Sequence, residues 1–163
     1  MTSHANTLKQ ADIFYQLTNT QLEMISNICE EKMFNATEIV FKEGANSDEL
    51  YVIAQGEVDV QVNPALVTNQ PHQIFEPVTI ATLRRGQSFG EIALVDRGVR
   101  SASVRARLDN THLLVIPRDK LMALCDTYPP LGYRLMQNLA ADLALKIRTT
   151  DLRIREEHLP DHK

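Results

Sequence analysis

The sequence predicts an α+β fold: a compact barrel or jelly roll of seven or eight short strands, flanked by N-terminal helices and a long C-terminal helix. Three observations carry this. The first part of the chain, to about residue 35, places apolar side chains at helical spacing. From Thr37 to Pro117, short apolar or alternating runs are separated by Gly, Asn, Asp and Pro, the pattern of many short strands joined by turns. After Pro129-Pro130 no proline occurs until Pro160, which leaves room for one long helix. With 163 residues the chain can bury a substantial core as one domain. It divides into a helical segment 1–36, a β segment 37–117 and closing helices 118–159.

Each element has a local reason. In the first segment Leu17, Leu22, Ile25, Ile28 and Met33 recur at roughly helical spacing. Thr18 with Gln21, or Thr20 with Glu23, makes a capping box at its start. Ile13, Phe14 and Leu17 form a short hydrophobic turn before it. The strand EIVF is followed by KEGANSDE, a turn by composition, and then by the strand LYVIA. After Gln55-Gly56, Val58, Val60 and Val62 alternate strictly with polar residues, as in a half-buried strand. The stretch 63–77 contains three prolines and reads as an irregular loop. VTIATL, SASVRAR and THLLVIP are further strands, and Pro117 suits the start of a helix. RDKLMALCDTY is a short helix, and the long one follows. On that helix Leu135, Leu139, Leu143, Ile147 and Ile154 line one side with Thr150 in the seam. The face packs on the barrel, forms a homodimer seam, or does each over different turns.

Composition excludes several function classes. The net charge is −4 and no basic face stands out, so no DNA binding is expected. No run approaches the roughly 18 apolar residues of a membrane-spanning helix. MTSHANTLKQAD has no apolar stretch behind a basic start, and a cytoplasmic location is expected. Cys29 and Cys125 read as reduced thiols. His4, His72, His112, His158 and His162 are scattered, with no pair at metal-ligand spacing on one element. No Ser-His-Asp or Cys-His unit and no triphosphate-binding loop is visible, so no enzyme activity, metal or cofactor is expected.

The informative segment is GQSFGEIALVDRGVRSASVRA, residues 86–106. Gly90 lets a ligand or the backbone come close. Glu91-Ile92-Ala93-Leu94 can form one helical turn, whose first N–H groups suit an anion. Arg100 follows across a loop containing Gly98, and arginine pairs with phosphate oxygens through two parallel, charge-assisted hydrogen bonds. Ser101 and Ala102 are small enough for their amides to approach an anion. A carboxylate beside such a site repels phosphate unless it accepts a hydrogen bond from a hydroxyl. Glu91 and the cradle together therefore describe a ligand carrying a sugar hydroxyl and a phosphate. Taken as isolated residues, Glu91 and Arg100 read rather as a surface salt bridge beside a tight turn.

The complete string resembles the phosphate-binding cassette of cyclic-nucleotide-binding domains. That pattern is F-G-E, an aliphatic residue, A-L, about five variable residues, then R, a small residue, A, a small hydroxylic residue and V. Phe89 to Leu94 and Arg100 to Val104 match it without a gap. EGANSDELYVIAQGEVDV resembles the family's early strand pair, and the likeness extends to the leading and closing helices. Two departures stand out. Val99 replaces a common proline before the arginine, and Ser47 replaces a common glycine before Asp48, at a turn expected to lie far from the ligand.

The resemblance implies an eight-stranded β-roll with flanking helices. It implies that Glu91 accepts the ribose 2′-hydroxyl and that Arg100 pairs with the cyclic phosphate. The amides of Gly90, Ile92, Ala93, Ser101 and Ala102 complete the cradle. Val60, Leu83 and Phe89 are apolar walls or plain core. Ser101 suits either base; cAMP is favoured over cGMP. The long helix is the lid, with Thr150 or Thr149 as its contact to the base, or Lys146 and Ile147 one turn earlier. The expected function is a cyclic-nucleotide sensor that moves its C-terminal helix to signal to an unidentified effector protein. The short tail beyond Asp151 leaves no room for a helix-turn-helix domain, so the chain is expected to be a stand-alone sensor acting on a partner or a fragment, and the starting Met and polar tail favour the former. The alternative is a protein-interaction or structural domain that keeps the fold without a ligand.

Overall fold

Strand LYVIA is apolar at every position, while EVDVQV alternates, and the architecture explains the difference. In the computed structural model, which describes residues 3–64, 76–96 and 98–158, eight strands form two four-stranded antiparallel sheets. The strands are β1 (Glu30–Phe34), β2 (Ile39–Phe41), β3 (Leu50–Gln55), β4 (Glu57–Val62), β5 (Val78–Arg84), β6 (Ser88–Phe89), β7 (Ser103–Ala106) and β8 (Thr111–Ile116). One sheet has the order β1-β8-β3-β6 and the other β2-β7-β4-β5. Between the sheets Tyr51, Ile53, Phe89, Leu113 and Val115 meet Val58 and Val104. On the other face of β3 and β8, Leu50, Val52, Leu114 and Ile116 pack under helices. The central strands β3 and β8 of the first sheet are thus covered on both faces, which demands continuous apolar runs. The expected jelly-roll-like β-roll with flanking helices is the fold observed. Most of the loop expected over 63–77 lies outside the described residues.

The helical layer is α1 (Ala5–Leu8), a 3₁₀ turn (Asp12–Phe14), α2 (Asn19–Ser26), α3 (Arg118–Thr127) and α4 (Pro129–His158). The Thr18–Gln21 capping box is present: the Gln21 amide donates to Thr18 Oγ1 at 3.2 Å and the Thr18 amide to Gln21 Oε1 at 2.9 Å. The helical reading of residues 1–36 is corrected at its end, because α2 stops at Ser26 and β1 occupies Glu30–Phe34. Glu30, Glu31, Lys32 and Met33 are all exposed, so this segment has no apolar helical face to bury. Its backbone pairs instead with β8, from Glu30 opposite Val115 to Phe34 opposite Thr111. Tertiary pairing overrides the helical propensity of Glu-Glu-Lys, and the charges guard an open sheet edge.

The β3–β4 turn needs Gly56, whose φ is +87° and where a Cβ would lie 2.4 Å from Thr111 Oγ1. The long helix α4 has two parts. Leu131, Leu135 and Leu139 are fully or almost fully buried against the helical layer, each contributing about 1.5–3 kcal/mol by burial. Asn138 Nδ2 donates to the carbonyls of Ile13 and Tyr15, at 3.0 and 2.8 Å, fixing the helix to the N-terminal turn. From Ala144 to His158 every residue is exposed. Of the expected apolar face, Leu135 and Leu139 are core and Leu143 packs at its edge, while Ile147 and Ile154 face solvent.

Candidate functional site

The site grows from the break between β6 and β7. Gly90 adopts φ +81°, and a Cβ there would meet Arg100 Nη1 and the Glu49 carbonyl oxygen, both at 2.9 Å. That conformation ends β6 and starts the turn Glu91–Leu94, which is a single 3₁₀ turn. Leu94 is buried in the helical core and anchors the turn from below. From the start of α3, Arg118 Nε donates to the carbonyls of Ala93 (3.1 Å) and Leu94 (3.3 Å), occupying the last carbonyls of that turn. The loop returns to Arg100, whose amide donates to the Ala45 carbonyl at 2.9 Å and whose carbonyl accepts from Gly44 at 2.8 Å.

Arg100 is 6% exposed, an unusual position for a cation. Its Nε donates to Ser47 Oγ and its Nη2 to the Glu49 carbonyl, both at 2.8 Å, and Nη1 approaches the Gly90 carbonyl at 3.4 Å. The guanidinium stands 4.2 Å above the Phe41 ring. Beneath lie Tyr51 and Phe89, stacked with centroids 4.9 Å apart. Burial pushes the guanidinium's pKa down against the opposing pull of Tyr51, Glu49, Asp48 and Glu91. An arginine keeps its charge through such a shift. The nearest ion-pair partner, Glu49, is 3.8 Å away and half-exposed, so the cation is held mainly by neutral oxygens and an aromatic face. Burial also raises the Tyr51 phenol to about 12, with Glu49 adding to the effect.

Glu91 is buried as well, at 5% exposure. Its Oε1 accepts from the Lys146 ammonium of α4, and Lys146 also pairs with Asp142 at 3.0 Å. Burial works to lower the Lys146 pKa, but the bonds to Glu91 and Asp142 outweigh it and the net shift is upward. Glu91 Oε2 is buried and has no hydrogen-bond partner among the described residues. These groups open on a cleft of about 890 Å³. Its lining includes Phe89, Gly90, Glu91, Ile92, Ala93, Arg100, Ser101 and Ala102, with Val60 and Leu83 on the sheet and Asp142 and Lys146 on the helix. A buried cation and an unsatisfied buried acceptor thus face one cavity of small-ligand size.

Residues 31–128, more than half of the chain, match the sequence profile of the cyclic nucleotide-binding domain. The chain belongs to that family. It is 29% identical to the cyclic AMP receptor protein of Thermus thermophilus over 147 residues, covering 90% of this chain and 62% of that protein. It is 27% identical to human cGMP-dependent protein kinase 2 over 128 residues, covering 78% of this chain and 16% of the kinase. The crystal structure of the Thermus thermophilus catabolite activator protein superposes with a TM-score of 0.73 at 28% identity, covering 88% of this chain and 62% of that one. The chain therefore spans less than two thirds of these curated relatives.

In this cyclic nucleotide-binding domain all eight cassette residues singled out from the sequence line one cleft. Three details differ from expectation. The Ala93 amide is engaged with the Gly90 carbonyl at 3.2 Å, because a 3₁₀ turn closes on its third residue, so it has left the set of open donors. Ser47 is not remote: its hydroxyl holds Arg100 Nε. Thr150 and Thr149 are exposed and donate to the Lys146 and Leu145 carbonyls of their own helix, outside the cleft lining, while Lys146 reaches in. Sequence reasoning missed Phe41, Ser47 and Glu49 as a seat for Arg100. The signal lay in Ser47 itself, the one departure from the family pattern in that turn. Val60 and Leu83 serve both readings, since they pack on the inter-sheet core and line the cleft. No helix among the described residues is long and apolar enough to cross a membrane.

Proposed function

We propose that this domain is a cytoplasmic regulatory sensor that binds one cyclic nucleotide per chain in the cleft, with cAMP preferred over cGMP, and signals through α4 to a partner protein. The observation that carries the reading is the pair of buried, complementary groups on one cavity. Arg100 is a charged donor and Glu91 Oε2 an unpaired acceptor. A cyclic phosphate joined to a ribose satisfies both. The similarity to a cyclic AMP receptor over 90% of the chain supports the choice of cAMP, and the weaker overlap with a cGMP-dependent kinase makes cGMP the second arm of the test. The domain acts by binding rather than by catalysis. Leu145, Ile147, Leu152 and Ile154 are half or more exposed on the projecting part of α4, which supports self-association through that helix.

Calorimetric titration of the chain, stripped of co-purified nucleotide by unfolding and refolding, tests the reading. Saturable binding with one site per chain, tighter for cAMP than for cGMP, is the expected result. No heat from either ligand with folded protein refutes it and favours an interaction domain that retains the fold alone.

A further inference from the structure

We infer that Lys146 is a positioning residue of the site: by holding one oxygen of Glu91 it leaves the other presented to the ribose hydroxyl, and so ties the bound sugar to α4. This rests on the reading of the cleft as a cyclic-nucleotide site. The Glu91 side chain is 7% exposed and its Oε1 is bound by the Lys146 ammonium. Its Oε2 is buried beside the cleft that Glu91 lines and has no partner among the described residues. A buried acceptor left unsatisfied is unfavourable, so the free protein stands ready to gain a hydrogen bond from an entering donor. A sugar hydroxyl is a neutral donor. It can take Oε2 without displacing the ammonium from Oε1, so one carboxylate bridges ligand and helix.

The same pair ties the projecting part of α4 to the cassette. Past Leu143 no residue of the helix is buried, and the Glu91–Lys146 pair is its polar contact with the cassette. Asp142, one turn earlier, holds the ammonium from the other side at 3.0 Å and restricts its rotamers. Without Lys146 the Glu91 carboxylate is a buried charge with no cation bonded to it, Arg100 acting on it only across the cleft. It then turns toward solvent, and the oriented acceptor for the 2′-hydroxyl is lost. The cost therefore falls on ligands that carry that hydroxyl and spares those that lack it.

The test is titration of cAMP and 2′-deoxy-cAMP into wild type, Lys146→Met, Lys146→Arg, Glu91→Gln and the Glu91→Gln/Lys146→Met double variant. The Lys146 side chain is 53% exposed, so Lys146→Arg should melt like wild type, whereas Lys146→Met leaves the buried Glu91 without its partner and should melt lower while still folding; the double variant, with neither charge, should recover most of that loss. Lys146→Met should weaken cAMP about tenfold, about 1.4 kcal/mol. It should weaken 2′-deoxy-cAMP less than about threefold, and Lys146→Arg should recover cAMP binding to within about threefold, as expected for loss and repair of one charge-assisted contact. In the Glu91→Gln background Lys146→Met should add little. Equal losses for the two ligands, no loss for either, or an undiminished loss in the Glu91→Gln background each overturn the inference while leaving the binding site standing. Wild type that binds neither nucleotide overturns the proposed function instead.

Discussion

Replacing Arg100 with alanine separates ligand binding from folding. In the free protein the guanidinium makes two bonds of 2.8 Å, to Ser47 Oγ and the Glu49 carbonyl, and covers Phe41. Losing such bonds costs about 0.5–1.5 kcal/mol each, but releasing a buried cation from its desolvation acts the other way. At about 2–4 °C per kcal/mol for a chain of this size, the free variant should melt within about 4 °C of wild type. Binding should suffer far more. Removing one partner of a buried charge pair costs about 2–5 kcal/mol, roughly 30- to 4000-fold in Kd. At a cAMP concentration about 100 times the wild-type Kd, ligand stabilises wild type by about 2.7 kcal/mol, a rise of about 5–11 °C. A 30-fold weaker variant gains only about 0.9 kcal/mol at that concentration, a rise of about 2–4 °C. Thermal melts with and without cAMP, with calorimetry for Kd, read both quantities. A ligand-induced rise equal to wild type, with unchanged Kd, refutes the assignment of the phosphate to Arg100.

Three further outcomes follow from the same geometry. Glu91→Ala should weaken cAMP by about 1.5–3 kcal/mol, the worth of a hydrogen bond to a charged group, yet barely alter 2′-deoxy-cAMP binding in parallel titrations; equal losses contradict the ribose role. Gly90→Ala places a Cβ 2.9 Å from Arg100 Nη1 and from the Glu49 oxygen at φ +81°. About 1–2 kcal/mol of backbone strain adds to that displacement, so the melting temperature and cAMP affinity should both fall, and wild-type values for both contradict the turn described. Ser47→Ala removes the acceptor at Arg100 Nε and should weaken cAMP by about 0.5–1.5 kcal/mol with little change in the melt of the free protein; unaltered affinity means that Ser47 does not seat the arginine.

The domain binds its ligand-facing groups to structure on both sides. Arg118 joins the cassette turn to α3, and Lys146 joins Glu91 to α4. Under the proposed function, a ligand that pulls on the cassette would act on both closing helices, provided that it favours one helix arrangement over another. The Arg100 seat, by contrast, comes from the turn before β3, within the rigid two-sheet body. The site thus has one wall on the sheets and one on the closing helices.

What the sequence by itself determined is whatever depends on neighbours along the chain. A capping box at Thr18 or Thr20, the alternation of β4, the apolar continuity of β3 and the contiguous cassette from Phe89 to Val104 are all local; the structure chose Thr18 with Gln21 between the two caps. The cassette was legible because the whole contiguous string from Phe89 to Val104 resembles the family's pattern; its carboxylate and arginine taken alone read as a salt bridge. Tertiary structure alone decided the rest. Residues 30–34 are strand because β8, some eighty positions on, needs an edge partner, and a short run with no apolar face has nothing to hold it helical. Ser47 meets Arg100 across 53 positions, and Lys146 meets Glu91 across 55. Thr150, one turn beyond Lys146, projects past the end of the packed body instead of into the cleft. No spacing rule reaches such distances: where a helix leaves the core is set by the depth of the hydrophobic layer beneath it, and that depth exists only once the sheets have folded.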